Sequence, residues 1–162
     1  MIELRLAIEA LAHHEVEFII VGGVAMNLHG SAHVTFDLDI CYNRRRRANL
    51  KRVVAALAPY HPRLRGLPEN LPSAWDEQTL KSGTNFTLTT DLGDIDLLGE
   101  IAGVGSYPDA FTGSVTVPLY GIECRVLTLD SLIASKRAAG RTKDLLVLPE
   151  LEALRELAEK NK

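Results

Sequence analysis

Two aspartates, Asp37 and Asp39, stand two residues apart in the alternating polar and apolar run Asp37-Leu38-Asp39-Ile40-Cys41-Tyr42. This alternation is typical of a β-strand with one buried face, where residues two apart project to the same side with Cα atoms roughly 6.5–7 Å apart. Paired carboxylates repel each other and are usually compensated by cations. Hard oxygen ligands favour Mg²⁺ or Mn²⁺, and a pair of such ions is a common centre for phosphoryl and nucleotidyl transfer.

A second pair of aspartates repeats this pattern in Asp94-Ile95-Asp96-Leu97. One of these two carboxylates would complete a three-carboxylate site with Asp37 and Asp39. The alternative interpretation is that all four aspartates are solvated residues on exposed strand faces. Because aspartate is depleted from strands, the two pairs and the Gly-Gly turn described next together favour the metal site.

A double glycine, Gly22-Gly23, follows the short apolar run 17–21 and precedes a helix-permissive segment. Backbone N–H groups at such a strand-to-helix turn can hold a phosphate. The turn alone is a weak signal, since glycines also serve tight geometry. The chain has neither the three-glycine dinucleotide fingerprint nor a P-loop.

The hydrophobic periodicity predicts an alternation of helices and strands around these motifs. The predicted helices cover residues 2–14, 24–29, about 50–57, 128–140 and 149–160, the last with Pro149 at its first position. The predicted strands cover residues 17–21, 37–42, 85–90, 94–98, 115–117 and 122–127, and the proline-rich stretch 60–73 is predicted to be largely loop. We therefore predict one α/β (or α+β) domain over residues 1–162, with a single mixed sheet of about four to six strands flanked by helices.

The composition is that of a folded globular chain and excludes several other classes. The chain has 162 residues, 46% of them hydrophobic, and a formal net charge of −3. This argues against a disordered chain and against a protein that binds nucleic acid through its whole surface. The two cysteines, Cys41 and Cys124, stand in apolar segments and indicate buried thiols rather than a disulfide or a zinc site. No apolar run approaches the length of a membrane span or of a signal-peptide core, so we expect a cytoplasmic protein without a membrane partner.

The motifs together resemble the signature of the DNA polymerase β-like nucleotidyltransferase superfamily. Ile20-Val21-Gly22-Gly23 is followed after 13 residues by Asp37-Leu38-Asp39-Ile40. The third acidic residue of that superfamily lies between hydrophobic residues on a later strand, and Ile95-Asp96-Leu97 is similar to it, whereas Asp94 follows a glycine and matches less well. The superfamily resemblance implies a nucleotidyltransferase fold resembling the polymerase β palm.

Within that superfamily the chain resembles the small bacterial AbiEii/AbiGii toxin-like nucleotidyltransferases. The resemblance covers most of residues 16–155 and is carried by residues 22–42, Leu64-Arg65-Gly66, 85–99 and the segment from Lys136 to Asp144. One departure concerns the residue two positions before Thr35, which is often arginine in this group and is His33 here. Histidine can donate a hydrogen bond to phosphate, but it lacks the guanidinium fork and the permanent charge. A loop histidine without a role is the alternative.

The resemblance implies roles for eight residues and for a metal cofactor. Asp37, Asp39 and Asp96 would hold two Mg²⁺ or Mn²⁺ ions, and one of these carboxylates would help to deprotonate the attacking hydroxyl. The nucleotide-binding residues implied in the same way are Gly22 and Gly23, which would cradle the triphosphate, and Lys136, Arg141 and Asp144. The arginine run 44–47 would either meet a polyanion such as tRNA or form the solvated start of a helix, and the second interpretation is favoured.

The expected function is therefore transfer of a nucleoside monophosphate from an NTP to an acceptor, which would be RNA (tRNA included), a protein or a small molecule. The AbiEii-like resemblance implies the toxin of a toxin–antitoxin pair, with an antitoxin as partner. Two alternatives stay open at this point. One is a weakly active or non-catalytic module that binds a nucleotide or a partner, and the other is a metal-dependent phosphohydrolase supported by the same carboxylates.

Overall fold

Seven strands form one mixed sheet in the computed structural model, which describes residues 1–162. In chain order they are β1 (Phe18–Val21), β2 (Leu38–Tyr42), β3 (Arg63–Leu64), β4 (Asn85–Thr90), β5 (Gly93–Leu98), β6 (Ser114–Leu119) and β7 (Ile122–Leu127). Their order across the sheet is β3-β4-β5-β2-β1-β7-β6. The predicted α/β class with one mixed sheet is confirmed, but the sheet has seven strands rather than four to six.

Seven α-helices and one short 3₁₀ helix, Ala58–Tyr60, accompany the sheet. The α-helices are α1 (Leu4–His13), α2 (Gly22–Leu28), α3 (Arg47–Leu57), α4 (Glu77–Lys81), α5 (Tyr107–Thr112), α6 (Leu129–Ala139) and α7 (Thr142–Lys160). The buried apolar side chains form one core, to which the sheet and the helices α1, α2, α3 and α6 contribute. Cys41 and Cys124 belong to this core as free thiols, as predicted. None of the helices has the length and apolar character that a membrane span requires.

The register of the central strands decides which residues meet at the site. Strand β2 runs parallel to β5, with Asp39 directly beside Asp96, and antiparallel to β1, with Asp39 beside Val21. Leu38 and Ile40 are fully buried, so the alternation of β2 turns Asp39 away from their side of the sheet. The same pairing places the start of α2, which follows Val21 directly, next to Asp39.

Helix α6 forms as its sequence signals predict. Thr128 accepts a hydrogen bond from the backbone N–H of Ser131, and Gly140 ends the helix in the left-handed conformation with φ of 65°. Leu132 and Ile133 are buried in the core. This anchoring sets the direction in which the next turn, with Lys136, projects.

The final helix was predicted wrongly at its start. Helix α7 begins at Thr142, and Pro149 lies inside it rather than at its first position. The start is set by Asp144, whose side chain accepts a hydrogen bond from the backbone N–H of Arg141 at 3.2 Å. The proline removes one N–H, and the carbonyl it would have bonded belongs to Leu145, which is 49% exposed and so within reach of water.

The sequence pattern does not predict three short elements, β3, α4 and α5. Strand β3 has two residues and lies in the proline-rich stretch 60–73, while α4 and α5 have five and six residues. Elements this short contain too few residues to display a helical or strand period. Strand β3 matters for the site because it extends the sheet beyond β4 and brings the residue that follows it, Arg65, towards β5.

Candidate active site

Three carboxylates converge at the centre of the sheet. One carboxylate oxygen from each of Asp37, Asp39 and Asp96 lies within 4.8 Å of the others. Asp37 immediately precedes β2, Asp39 lies on β2 and Asp96 on β5, so the parallel register brings them together. Asp94, the other candidate on β5, does not join this cluster, and its carboxylate faces Arg65 instead.

The surroundings of Asp39 disfavour its ionised form. Burial, reinforced by the neighbouring carboxylates of Asp96 and Asp37, raises the pKa of Asp39 from 3.8 to about 7, against a smaller opposing effect of Lys136. Its Oδ1 atom is buried and accepts no hydrogen bond from the protein. A buried acceptor without a donor is costly unless something else satisfies it.

The donor set suits a hard divalent cation. All three groups are carboxylates, which are the ligands that Mg²⁺ and Mn²⁺ prefer. The unsatisfied oxygen of Asp39 and the mutual repulsion of the three charges are both relieved by a cation placed among them. The residues present therefore fit the predicted metal.

The double glycine allows the chain to pass close to the carboxylates. Gly22 has a φ of +63°, and a Cβ atom at this position would lie 2.1 Å from Oδ2 of Asp39. A Cβ atom at Gly23 would lie 2.6 Å from Oγ1 of Thr35. Both glycines belong to the first turn of α2, two residues earlier than the predicted helix start. Close packing against Asp39 and Thr35 thus accounts for glycine at both positions.

A buried aspartate holds two cations on the opposite side. Asp144 is 1% exposed at its side chain and accepts hydrogen bonds from Lys136 Nζ at 3.2 Å and from Arg141 Nε at 2.7 Å. Burial acts to raise the pKa of Asp144, but the hydrogen bonds from Arg141 and Lys136 outweigh it and hold this pKa below its usual range. Asp144 therefore acts on the site through the two cations that it orients.

A cavity of about 390 Å³ joins the acidic and basic groups. Its polar lining consists of Asp37, Asp39 and Asp96, the cations Lys136, Arg141 and Lys143, and the residues Gly23, His33 and Thr35. Sequence analysis did not assign Thr35 or Lys143 to the site. Thr35 could have been found, because positions 33, 35 and 37 continue the two-residue period of the strand that follows them.

Comparison with solved structures identifies the architecture. The candidate nucleotidyltransferase TM1012 from Thermotoga maritima superimposes with a TM-score of 0.56 at 16% identity, over 99% of this chain and 96% of that one. The lincosamide antibiotic adenylyltransferase LnuA, with lincomycin bound, superimposes with a TM-score of 0.61 at 13% identity, over 94% of this chain and 96% of that one. The chain has the nucleotidyltransferase fold. No protein-family model matches the sequence, and no curated protein does.

Arg65 is a further residue at the site to which the sequence assigns no role. Its Nη2 atom lies 2.8 Å from Oδ1 of Asp96, and its Nε atom lies 3.4 Å from Oδ2 of Asp94. The contact depends on the pairing of β3 with β4 and of β4 with β5, and Arg65 is 31 residues from Asp96 in sequence. Leu64-Arg65-Gly66 contributes to the AbiEii-like resemblance, but a local pattern does not reveal a contact with Asp96.

The arginine run 44–47 lies outside the cavity lining. Arg46 pairs with Glu17 and Arg47 pairs with Glu77, while Arg44 donates to the carbonyl oxygen of Gly83. Helix α3 begins at Arg47. Arg47 therefore starts a helix, as the favoured interpretation expects, whereas Arg44 precedes the helix and is partly buried rather than solvated.

Proposed function

We propose that this protein is a metal-dependent nucleotidyltransferase that moves a nucleoside monophosphate from an NTP to an acceptor. The observation that carries the proposal is the single cavity in which three clustered carboxylates face Lys136, Arg141 and Lys143. An NTP with its divalent cation has the complementary charges, since the cation suits the acidic wall and the triphosphate suits the basic one. The similarity to nucleotidyltransferase structures supports the same assignment through the fold.

The roles of the residues follow from their positions. Asp37, Asp39 and Asp96 would hold Mg²⁺ or Mn²⁺, and such ions supply Lewis acidity and charge neutralisation when bound. Lys136 and Arg141, oriented by Asp144, would bind the phosphates. One of these carboxylates would help to accept the proton of the attacking hydroxyl. The acceptor oxygen then bonds to the α-phosphorus, the bond to the bridging oxygen breaks, and pyrophosphate leaves with the electron pair.

The acceptor and the biological role are the finer part of the proposal. The resemblance to AbiEii-like proteins supports a toxin that modifies RNA or protein and is controlled by an antitoxin. The structural neighbour LnuA is an adenylyltransferase with lincomycin bound, so small hydroxyl compounds are a further acceptor class to be tested. His33 lines the cavity where that group often has arginine, and it would contact phosphate there as a neutral or charged donor.

Incubation of the protein with each α-labelled NTP, Mg²⁺ or Mn²⁺, and total RNA, protein or small metabolites tests the proposal. Label recovered on an acceptor supports transfer, and label released only as free nucleotide supports the phosphohydrolase. No turnover of any NTP supports the non-catalytic binding module. Asp37→Asn should abolish the reaction. Asp91→Asn is the matched control: Asp91 lies in the turn of the same hairpin as Asp96, but it pairs with His61 and does not line the cavity, so its substitution should leave the reaction unchanged.

A further inference from the structure

Arg65 is held rigidly from the backbone although it follows a strand of only two residues. Its N–H donates to the carbonyl oxygen of Thr87 at 2.9 Å, which continues the pairing of β3 with β4. Its Nη2 atom also donates to the carbonyl oxygen of Leu88 at 2.9 Å. The next residue, Gly66, turns the chain away with a φ of +85°. The guanidinium is therefore fixed across β4 before it reaches β5.

The fixed guanidinium forms an ion pair with Asp96, one member of the carboxylate cluster. Nη2 lies 2.8 Å from Oδ1 of Asp96, and Nε points towards Asp94 at 3.4 Å. The side chain of Asp96 is 19% exposed and that of Arg65 is 33% exposed, so water screens the contact only in part. Rotation of the Asp96 carboxylate would break this charge-assisted hydrogen bond, which therefore sets the orientation of that carboxylate.

Arg65 is also the cation in direct contact with the cluster. Among the cations that line the cavity, Lys136 and Arg141 are engaged by Asp144, and neither they nor Lys143 form an ion pair with Asp37, Asp39 or Asp96. Burial acts to lower the pKa of Arg65, but the hydrogen bond and charge of Asp96, together with the charges of Asp94 and Asp37, outweigh it and raise that pKa. The guanidinium thus stays protonated and interacts with more than one member of the site.

We propose that Arg65 is a positioning residue and a fixed counter-cation of the carboxylate cluster. It orients Asp96 and offsets one negative charge, so that the carboxylates stay assembled while no metal is bound. The formal charge of Asp37, Asp39, Asp96 and Arg65 together is −2, and it becomes −3 when the arginine is neutralised. The positioning of Asp96 for transfer rests on the proposed function, whereas the effect on cation binding does not.

These two roles predict opposite effects of Arg65→Met on metal binding and on turnover. Removal of the charge should tighten Mn²⁺ binding by the protein alone roughly tenfold, the size expected for one charge acting on a divalent ion a few ångströms away in a partly solvated site. Loss of the orientation of Asp96 should lower kcat of transfer at saturating Mn²⁺ at least about tenfold. Arg65→Lys keeps the charge without the fork, so its Mn²⁺ affinity should stay near that of the wild type while kcat recovers only in part.

Arg63→Met is the matched control. Arg63 lies on β3, two residues before Arg65, and its guanidinium donates only to the carbonyl oxygens of Pro68 and Leu71. Its removal breaks two hydrogen bonds within the loop after β3, and it should leave Mn²⁺ affinity and kcat of the folded protein unchanged.

Mn²⁺ binding is measured by titration with detection of the free ion by electron paramagnetic resonance, in nucleotide-free protein whose folding is checked by circular dichroism. Unchanged or weaker Mn²⁺ binding in Arg65→Met would overturn the counter-cation role. An unchanged kcat would overturn the positioning role. If the wild type transfers no nucleotide at all, the proposed function and the positioning role fail together, and the Mn²⁺ titration still decides whether Arg65 is a counter-cation.

Discussion

Substitution of Asp39 by asparagine should stabilise the metal-free protein while abolishing transfer. Asparagine keeps the shape of the side chain next to Gly22 and resembles the protonated aspartate, but it cannot carry the charge that the cluster disfavours. In the wild type the pKa of Asp39 is raised from 3.8 to about 7. The unfolded chain therefore loses this proton at lower pH than the folded chain, and the folded state is penalised as the pH rises from about 4 to about 7.

The size of the effect follows from this difference in pKa. Each unit of difference in pKa between the folded and the unfolded chain corresponds to about 1.4 kcal/mol. The ionisation of Asp39 therefore lowers the free energy of unfolding by at most about 4 kcal/mol at pH 8 and about 2 kcal/mol at pH 5. We expect roughly half of these values, since water and counter-ions enter the open side of the cavity. Asp39→Asn should then raise the free energy of unfolding by about 2 kcal/mol at pH 8, which corresponds to a melting temperature about 4–8 °C higher.

Urea unfolding in EDTA at pH 5 and pH 8 measures the effect, and Asp91→Asn serves as the control. The stabilisation by Asp39→Asn should be larger at pH 8 than at pH 5 and should disappear when Mg²⁺ is added, because the metal stabilises only the wild type strongly. A variant that is less stable than the wild type in EDTA at pH 8 would refute this reasoning. It would show that the carboxylate of Asp39 is a structural hydrogen-bond acceptor.

Two further substitutions test the walls of the cavity. Lys136→Met should weaken binding of a non-hydrolysable NTP with Mg²⁺ roughly 10- to 150-fold, the loss expected for one charged phosphate contact, as measured by calorimetric titration. Arg137→Met, on the same helix and paired with Glu152 at the surface, should not change the affinity, and equal affinities for both variants would remove Lys136 from the nucleotide site. Gly22→Ala should lower the free energy of unfolding by about 3 kcal/mol or more, because its Cβ atom meets Asp39 at 2.1 Å in addition to the backbone strain. Gly121→Ala carries similar strain, with a φ of +77°, but has open space around it and should cost only about 1–2 kcal/mol, so equal losses in urea unfolding would contradict the close approach.

Periodicity was sufficient to find the central strands and the acidic pair. The alternation of residues 37–42 marks both the buried and the polar face of β2, and the structure follows it. The strand period places Asp94 and Asp96 on one face and cannot choose between them. The resemblance to the nucleotidyltransferase signature favours Asp96, and the structure brings Asp96 to the other two aspartates.

Contacts between distant segments were beyond the sequence. Strand β3 has two residues and no period, so its pairing with β4 and the reach of Arg65 could not be inferred. The start of α7 depends on the buried Asp144 and its two cations rather than on Pro149, the strongest local signal in that segment. In each case a tertiary contact outweighs local preference.

The charges on the two sides of the cavity complement each other, although the three clustered carboxylates repel one another. On one side Arg65 offsets a single charge, which leaves the cluster formally at −2. On the other side Lys136 and Arg141 share Asp144, and Lys143 lines the same cavity, so that side is formally at +2. Neither side is neutral, and their charges are separated by an open space of about 390 Å³. A divalent cation alone neutralises the acidic side and leaves the basic side unmatched, whereas a cation bound to a triphosphate matches both. Under the proposed function, the metal–nucleotide complex should therefore complement the cavity better than either component, and metal and nucleotide should each strengthen the binding of the other.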